Sequence, residues 1–201
     1  MAAAAHPAAP RRSSAWIASA FPDGAALAIA IGVYGQVHDP TGKRIFSLIF
    51  TSTLTMKVWF ATAAAALAIL QLTTSLRFFE VIHWPRVAPA WLVPVHRWSG
   101  VIAILLTLPV AYHCLWALGF SDLTTRRLVH SLAGCAFYGA FLAKMLLLRT
   151  ERPWPFAASA VAPGFWPGWV FAIAGGLTFS SLVALWFTSS LWFFTTIGLK
   201  F

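Results

Sequence analysis

Hydrophobic positions are not spread along this chain in the short alternations of strands or the narrow stripes of soluble helices. They come in long blocks. Four stretches, at about 46–77, 95–118, 127–149 and 167–194, are apolar on nearly every side and long enough for spanning helices. A span needs roughly 20 apolar residues at 1.5 Å rise each. The first exceeds a ~30 Å hydrocarbon core and should tilt or protrude. A fifth block, about 15–37, is interrupted by Pro22 and Asp23. It reads as a kinked span rather than a helix lying in the interface. The predicted architecture is all-α, a membrane bundle of five helices with a four-helix core and a weaker first span.

Polar segments bound these blocks. The Ala/Pro-rich start, 1–14, reads as a disordered tail, and 195–201 as a short carboxyl-terminal one. Arg11 and Arg12 before the first block raise the question of a signal peptide. The Pro22–Asp23 break and the lack of a small-residue cleavage site argue against removal. The longest loops are short, at about 78–94 and 150–166, so no extramembrane domain is expected.

Composition then fixes the solvent. The 201 residues are 60% hydrophobic and 9% charged, against about 25% charged in soluble domains. That excludes a soluble enzyme, a disulfide scaffold and a disordered chain. The net charge of +9 would suggest nucleic acid in a soluble protein. Here it divides between two membrane faces, and no nucleic-acid partner is expected. With five spans, the amino-terminal face collects Arg11, Arg12, Arg77, Arg86, Arg97, Lys144, Arg149 and Arg152. The opposite face has Lys43, Arg44, Arg126, Arg127 and Lys200. The positive-inside rule then predicts a cytoplasmic amino terminus in a plasma membrane. Trp16, Trp84, Trp91, Trp98, Trp166 and Trp169 on one face, and Trp116 and Trp192 on the other, form aromatic belts.

Against so apolar a background each buried ionisable group is a functional candidate. His6 falls in the tail, His38 in the turn GQVHDPTG and His83 in a loop. His96 opens the third span and His113 comes near its far end, about 25 Å away at helical rise. They cannot share a ligand. His130 opens the fourth span on the side where the third ends, so His113 and His130 sit at similar depth on consecutive antiparallel helices. Two imidazoles facing each other across a bundle are what a six-coordinate haem b requires. In HRWSG and HSLAG a glycine follows the histidine by four residues, placing Gly100 and Gly134 one turn along on the same face. A missing side chain there leaves room for a porphyrin; close helix packing is the alternative. For His96 the available partners are His83 and Met145, either of which would make a second haem on the cytoplasmic side, with a headgroup-level histidine as the simpler reading.

These motifs resemble two families. HRWSG at a helix start, a second histidine on that helix, and HSLAG opening the next are similar to transmembrane b-type cytochromes of the cytochrome b561 kind. GVYGQVHDPTG, MKVWFATAAAALA, HRWSG, PVAYHCLWALGF and VHSLAGCAFYGAFLAKM more closely resemble an uncharacterised actinobacterial family of multi-pass membrane proteins. The first resemblance implies haem b held between histidines and electron transfer in the membrane. The b561 pattern uses four helical histidines for two haems. The second and fifth spans here have none, so the resemblance carries over one haem, to His113 and His130.

Other polar groups have two readings each. Lys57 falls about eleven residues into the second span, roughly 16 Å from its end. Asp23 is the structural partner; a haem propionate or a quinone carbonyl is the functional one. Arg126 and Arg127 can hold propionates or be loop charges. Cys114 and Cys135 form neither CxxC nor CxxCH, which leaves zinc and c-type haem without support. They read as small buried residues, with a disulfide as the other option. Pro109 should kink the third span, and Gly175, Gly176, Thr178, Ser180 and Ser181 give the fifth a small-residue face. With five acidic residues in the chain, paired-carboxylate chemistry has little to draw on. The expected function is an electron-relaying b-type cytochrome subunit rather than a stand-alone enzyme. It would work with other membrane redox subunits or a quinone among membrane lipids. A cofactor-free accessory or anchor subunit is the rival; a small permease is disfavoured by the lack of an internal repeat.

Overall fold

A computed structural model describes residues 19–43, 46–87, 89–151 and 168–198, with Thr150 and Glu151 as backbone only. Expectations for 1–14, the start of the first span, the loop after Glu151 and 199–201 lie outside the described residues. So do Arg11, Arg12, Trp16, Arg44, Arg152, Trp166 and Lys200.

Among the described residues, five helices are long and apolar enough to cross a membrane. They are α1 (Ala20–Val37), α2 (Thr53–Phe78), α3 (Leu92–His113), α4 (Thr125–Glu151) and α5 (Gly168–Trp186). α3 runs on into a π-helical turn, Cys114–Leu118. α5 continues through a second π-turn, Phe187–Leu191, and a last α-turn, Trp192–Thr196. Among the described residues there is no strand. This is a multi-pass helical membrane protein.

Two helix starts differ from the expectation, for local reasons. Pro22 does not break α1; it sits in the first turn, where a missing N–H costs nothing. Asp23 in the same turn complements the helix dipole. α2 begins at Thr53 rather than near 46 because Ser52 caps it. The Ser52 hydroxyl accepts from the Thr55 N–H at 3.1 Å, and Thr55 Oγ1 accepts from the Ser52 N–H at 3.1 Å. This reciprocal box satisfies two orphan donors. Lys57 therefore lies in the second turn, about 6 Å along the helix, and not deep in the span.

Helices pack in two groups. α4 lies between α1 and α5, α2 pairs with α3, and α2 against α5 joins the groups. The α1–α4 crossing is set by Gly24 and Gly139. A Cβ on either would come within 2.5 Å of the other's carbonyl oxygen, so only glycine permits this approach. At mid-depth Ala64, Ala68, Phe137 and Leu182 form a buried cluster; nearer the amino-terminal face Ala20, Leu147, Val170 and Ala174 form another. Two hydrogen bonds tie α5 to α2: Trp186 Nε1 donates to Thr62 Oγ1 at 3.1 Å, and Ser190 Oγ to the Val58 carbonyl at 3.1 Å.

α3 and α4 follow one another in sequence but are not close-packed; their backbones hardly approach within 8 Å. Side chains bridge them instead. Tyr138 Oη donates to Thr107 Oγ1 or its carbonyl, at 3.0 and 3.1 Å. This bridge divides the space between the two helices into a half toward the amino-terminal face and a half toward the opposite face.

Candidate functional site

Most of the candidate residues lie at the end of the bundle opposite the amino-terminal face. His113 is the last residue of α3 before its π-turn, and is 7% exposed. Its Nδ1 is buried without a hydrogen-bond partner. Burying an imidazole nitrogen unpaired costs on the order of 1–3 kcal/mol, which makes it a site that calls for a ligand or partner.

His130, in the second turn of α4, is oriented by α5. Its Nδ1 lies 2.9 Å from Thr188 Oγ1. The Thr188 hydroxyl also points back at the Ala184 carbonyl, 2.7 Å away. A hydroxyl has one proton; with that proton on Ala184, Thr188 accepts from His130. This assigns the imidazole proton to Nδ1 and leaves a lone pair on Nε2. Histidines that bind metal are oriented in the same way, by a second-nitrogen hydrogen bond.

Lys57 joins these two. Its ammonium lies within electrostatic reach of both imidazoles and 3.9 Å from Cys114 Sγ. Lys57 carries no ion pair with any described residue. The expected Asp23 partner is not there. Asp23 is exposed near the start of α1, next to Gly24, which packs on Gly139 and Ala143 toward the amino-terminal end. Lys57 lies near the other end of the bundle.

Arg126 stands one turn before His130. Its Nη1 donates to the Thr188 carbonyl at 2.7 Å, and the guanidinium lies over the Trp192 ring, 4.1 Å from the centroid. It thus supplies a donor to the π-turn of α5 and holds the threonine that orients His130. Arg127 is exposed and is not brought to the site. Gly134 turns to α5, where a Cβ would meet Leu185 at an ordinary 3.8 Å. Cys114 and Cys135 are both free thiols, and Cys135 faces Gly32 of α1 rather than Cys114.

His96 sits apart, in the half nearer the amino-terminal face. Thr74 of α2 orients it as Thr188 orients His130. Thr74 Oγ1 is 2.8 Å from the Leu70 carbonyl and 2.6 Å from His96 Nδ1. Gln71 fills the space in front of Gly100, with a Cβ there meeting its amide at 3.2 Å. The Gln71 amide donates to the His96 carbonyl and, at 2.7 Å, to Ser99 Oγ. Gly100 therefore makes room for a glutamine and not for a ring. His83 and Met145, the partners expected for His96, are both exposed. The charge that reaches His96 is that of Lys144.

Three groups acquire roles that sequence reasoning missed. The segment after α1 folds over the π-turn of α3. Thr41 N and Gly42 N donate to the carbonyls of Trp116 and Ala117 at 3.3 and 3.1 Å, and His38 Nε2 lies 3.2 Å from the Trp116 carbonyl. The His38 ring packs between Tyr34 and Trp116, at centroid distances of 5.0 and 4.8 Å. Trp116 and Trp192, expected as plain anchors, also brace His38 and Arg126. Thr188 gave no sequence signal at all, since its importance depends on which helix faces His130.

Residues 17–201 match the model of DUF6529, a family of unknown function. The chain belongs to DUF6529. No curated protein and no solved structure matches it. For this DUF6529 protein, the likeness to b561 cytochromes therefore rests on the motifs alone.

Proposed function

We propose that this DUF6529 protein is a b-type cytochrome-like subunit that relays electrons within a membrane redox assembly, with haem b held between His113 and His130. The observation that carries this reading is that the His113 imidazole on α3 and the His130 imidazole on α4 lie at the same end of the bundle, both within reach of the Lys57 charge, on a pair of helices that is not close-packed. Helices bridged by a metal and two imidazoles stand wider apart than the about 8–10 Å of direct packing.

The donor set fits the group. His113 is buried with an orphaned nitrogen, and His130 presents an Nε2 lone pair because its Nδ1–H donates to Thr188. Lys57 supplies positive charge without an acidic partner among the described residues, which suits a haem propionate. Arg126 acts through Thr188 as a positioning residue. Haem b, when bound, supplies one-electron redox chemistry whose potential is tuned by its ligands and their hydrogen bonds. The chain's own residues hold the imidazole tautomer, exclude water and neutralise charge.

The test is a visible spectrum of the purified full chain. A Soret band that sharpens and shifts on dithionite reduction is expected. His113→Ala and His130→Ala should each lose the low-spin spectrum, while His96→Ala keeps it. A colourless preparation from haem-replete cells overturns the reading in favour of a cofactor-free accessory subunit.

A further inference from the structure

We propose that His96 and Lys144 form the headgroup site of a lipid-soluble quinol or quinone, in the half of the α3–α4 space nearer the amino-terminal face. Neither residue belongs to the His113–His130 site.

The placement of Lys144 follows from helix geometry. Phe137 is buried against Ala64, Ala68 and Leu182. Lys144 is seven residues further along α4, on the same helix face, about 10 Å nearer the amino-terminal face of the bundle. α2 runs parallel to α4, and the same step from Ala64 and Ala68 reaches Gln71 and Ser75. Gln71 and Thr74 are the residues that hold His96. Lys144 and His96 thus arrive at one level from helices that are not close-packed, and the lysine charge reaches the imidazole. Lys144 is half-buried and carries no hydrogen bond or ion pair with a described residue. A lysine inside an apolar span without a partner is expensive.

The chemistry of the two groups selects the ligand. His96 Nδ1–H donates to Thr74, which leaves an Nε2 lone pair as an acceptor. Lys144 is a donor only. A matching molecule offers a hydroxyl to the imidazole and an oxygen acceptor to the ammonium. It should also partition into lipid, because His96 and Lys144 lie in the end turns of two apolar spans, about 6 and 8 Å from their ends. Quinols and quinones have paired ring oxygens that serve as hydroxyl or carbonyl. A phosphodiester headgroup has acceptors only, and would set its anion against the His96 lone pair.

The experiment uses the full chain in phosphatidylcholine nanodiscs, titrated by calorimetry with a one-isoprene naphthoquinone and with its reduced quinol. Saturable binding is expected, weakened about tenfold or more by Lys144→Met and by His96→Leu and unchanged by Arg127→Gln, at an exposed position on the opposite face. An azido-naphthoquinone on the unsubstituted protein should cross-link near His96 on α3 or Lys144 on α4, which keeps the test independent of variant folding. Non-saturable uptake, cross-links confined to other segments, or full affinity in a folded Lys144→Met protein each overturn the proposal. So does a Lys144-dependent rise in thermal midpoint produced by phosphatidylglycerol in place of the quinone. The readout is binding, so its failure leaves the haem reading standing, and a colourless protein that binds quinone leaves this one standing.

Discussion

The hydroxyl of Thr188 on α5 fixes the tautomer of His130 on α4: one lone pair accepts the Nδ1 proton at 2.9 Å while the hydroxyl proton points at Ala184, 2.7 Å back along its own helix. Thr74 and His96 repeat the arrangement between α2 and α3. In both, a threonine that back-bonds within its helix becomes an obligate acceptor for a histidine on a neighbour. The imidazole then directs a bare Nε2 away from that threonine.

Replacing Thr188 by valine keeps the volume and removes the acceptor. Haem affinity should fall about 10–100-fold, the usual effect of losing an outer-shell partner of a metal-binding histidine. Titration of haem into the apoprotein measures it. Unchanged affinity with an unchanged low-spin spectrum would mean that Thr188 does not orient a ligand.

Lys57→Met removes a cation within reach of both His113 and His130. A nearby positive charge favours the reduced, less positive centre, so the midpoint potential should drop by tens of millivolts, on the order of 1 kcal/mol. Redox titration of the coloured protein is the measurement. A rise in potential contradicts the placement of Lys57.

Gly139→Leu drives a side chain into the Gly24 carbonyl, which already lies 2.5 Å from where the first added carbon would be. Overpacking of this kind costs typically about 1–3 kcal/mol. The thermal midpoint in detergent should fall, with α1 detaching from α4. Gly176→Leu is the control, since a Cβ there meets nothing within 4 Å.

The five-helix order places the α1–α2 and α3–α4 connections on one face and the α2–α3 connection on the other. After Cys114 and Cys135 are changed to alanine, Asp39→Cys and Asp122→Cys should label from the same side with an impermeant maleimide. His83→Cys should label from the other. Labelling of all three from one side refutes the spanning arrangement.

What could be read from the chain alone divides along physical lines. The spans were legible because lipid demands long apolar blocks, and counting along α3 and α4 brought His113 and His130 to a common level. Helix partners were not legible. In a membrane the outer face and the core are both apolar, so periodicity does not say which side of α4 meets α5. That hid Thr188. The apolar run before Thr53 masked the Ser52 cap, which made Lys57 look deeper than it is and suggested Asp23 as its partner. Lys144 was read only as a charge near the amino-terminal face; its inward direction depends on Phe137 being core.

The division of the bundle into α1–α4–α5 on one hand and α2–α3 on the other has a mechanical consequence. Each candidate site takes one residue from each group, across a seam fastened chiefly where α2 meets α5. Small sliding of one packed group past the other, the shear type of motion, would change the width of both sites together while leaving the Gly24–Gly139 crossing and the α2–α3 contacts intact. Anything that wedges one half of the seam would be felt in the other.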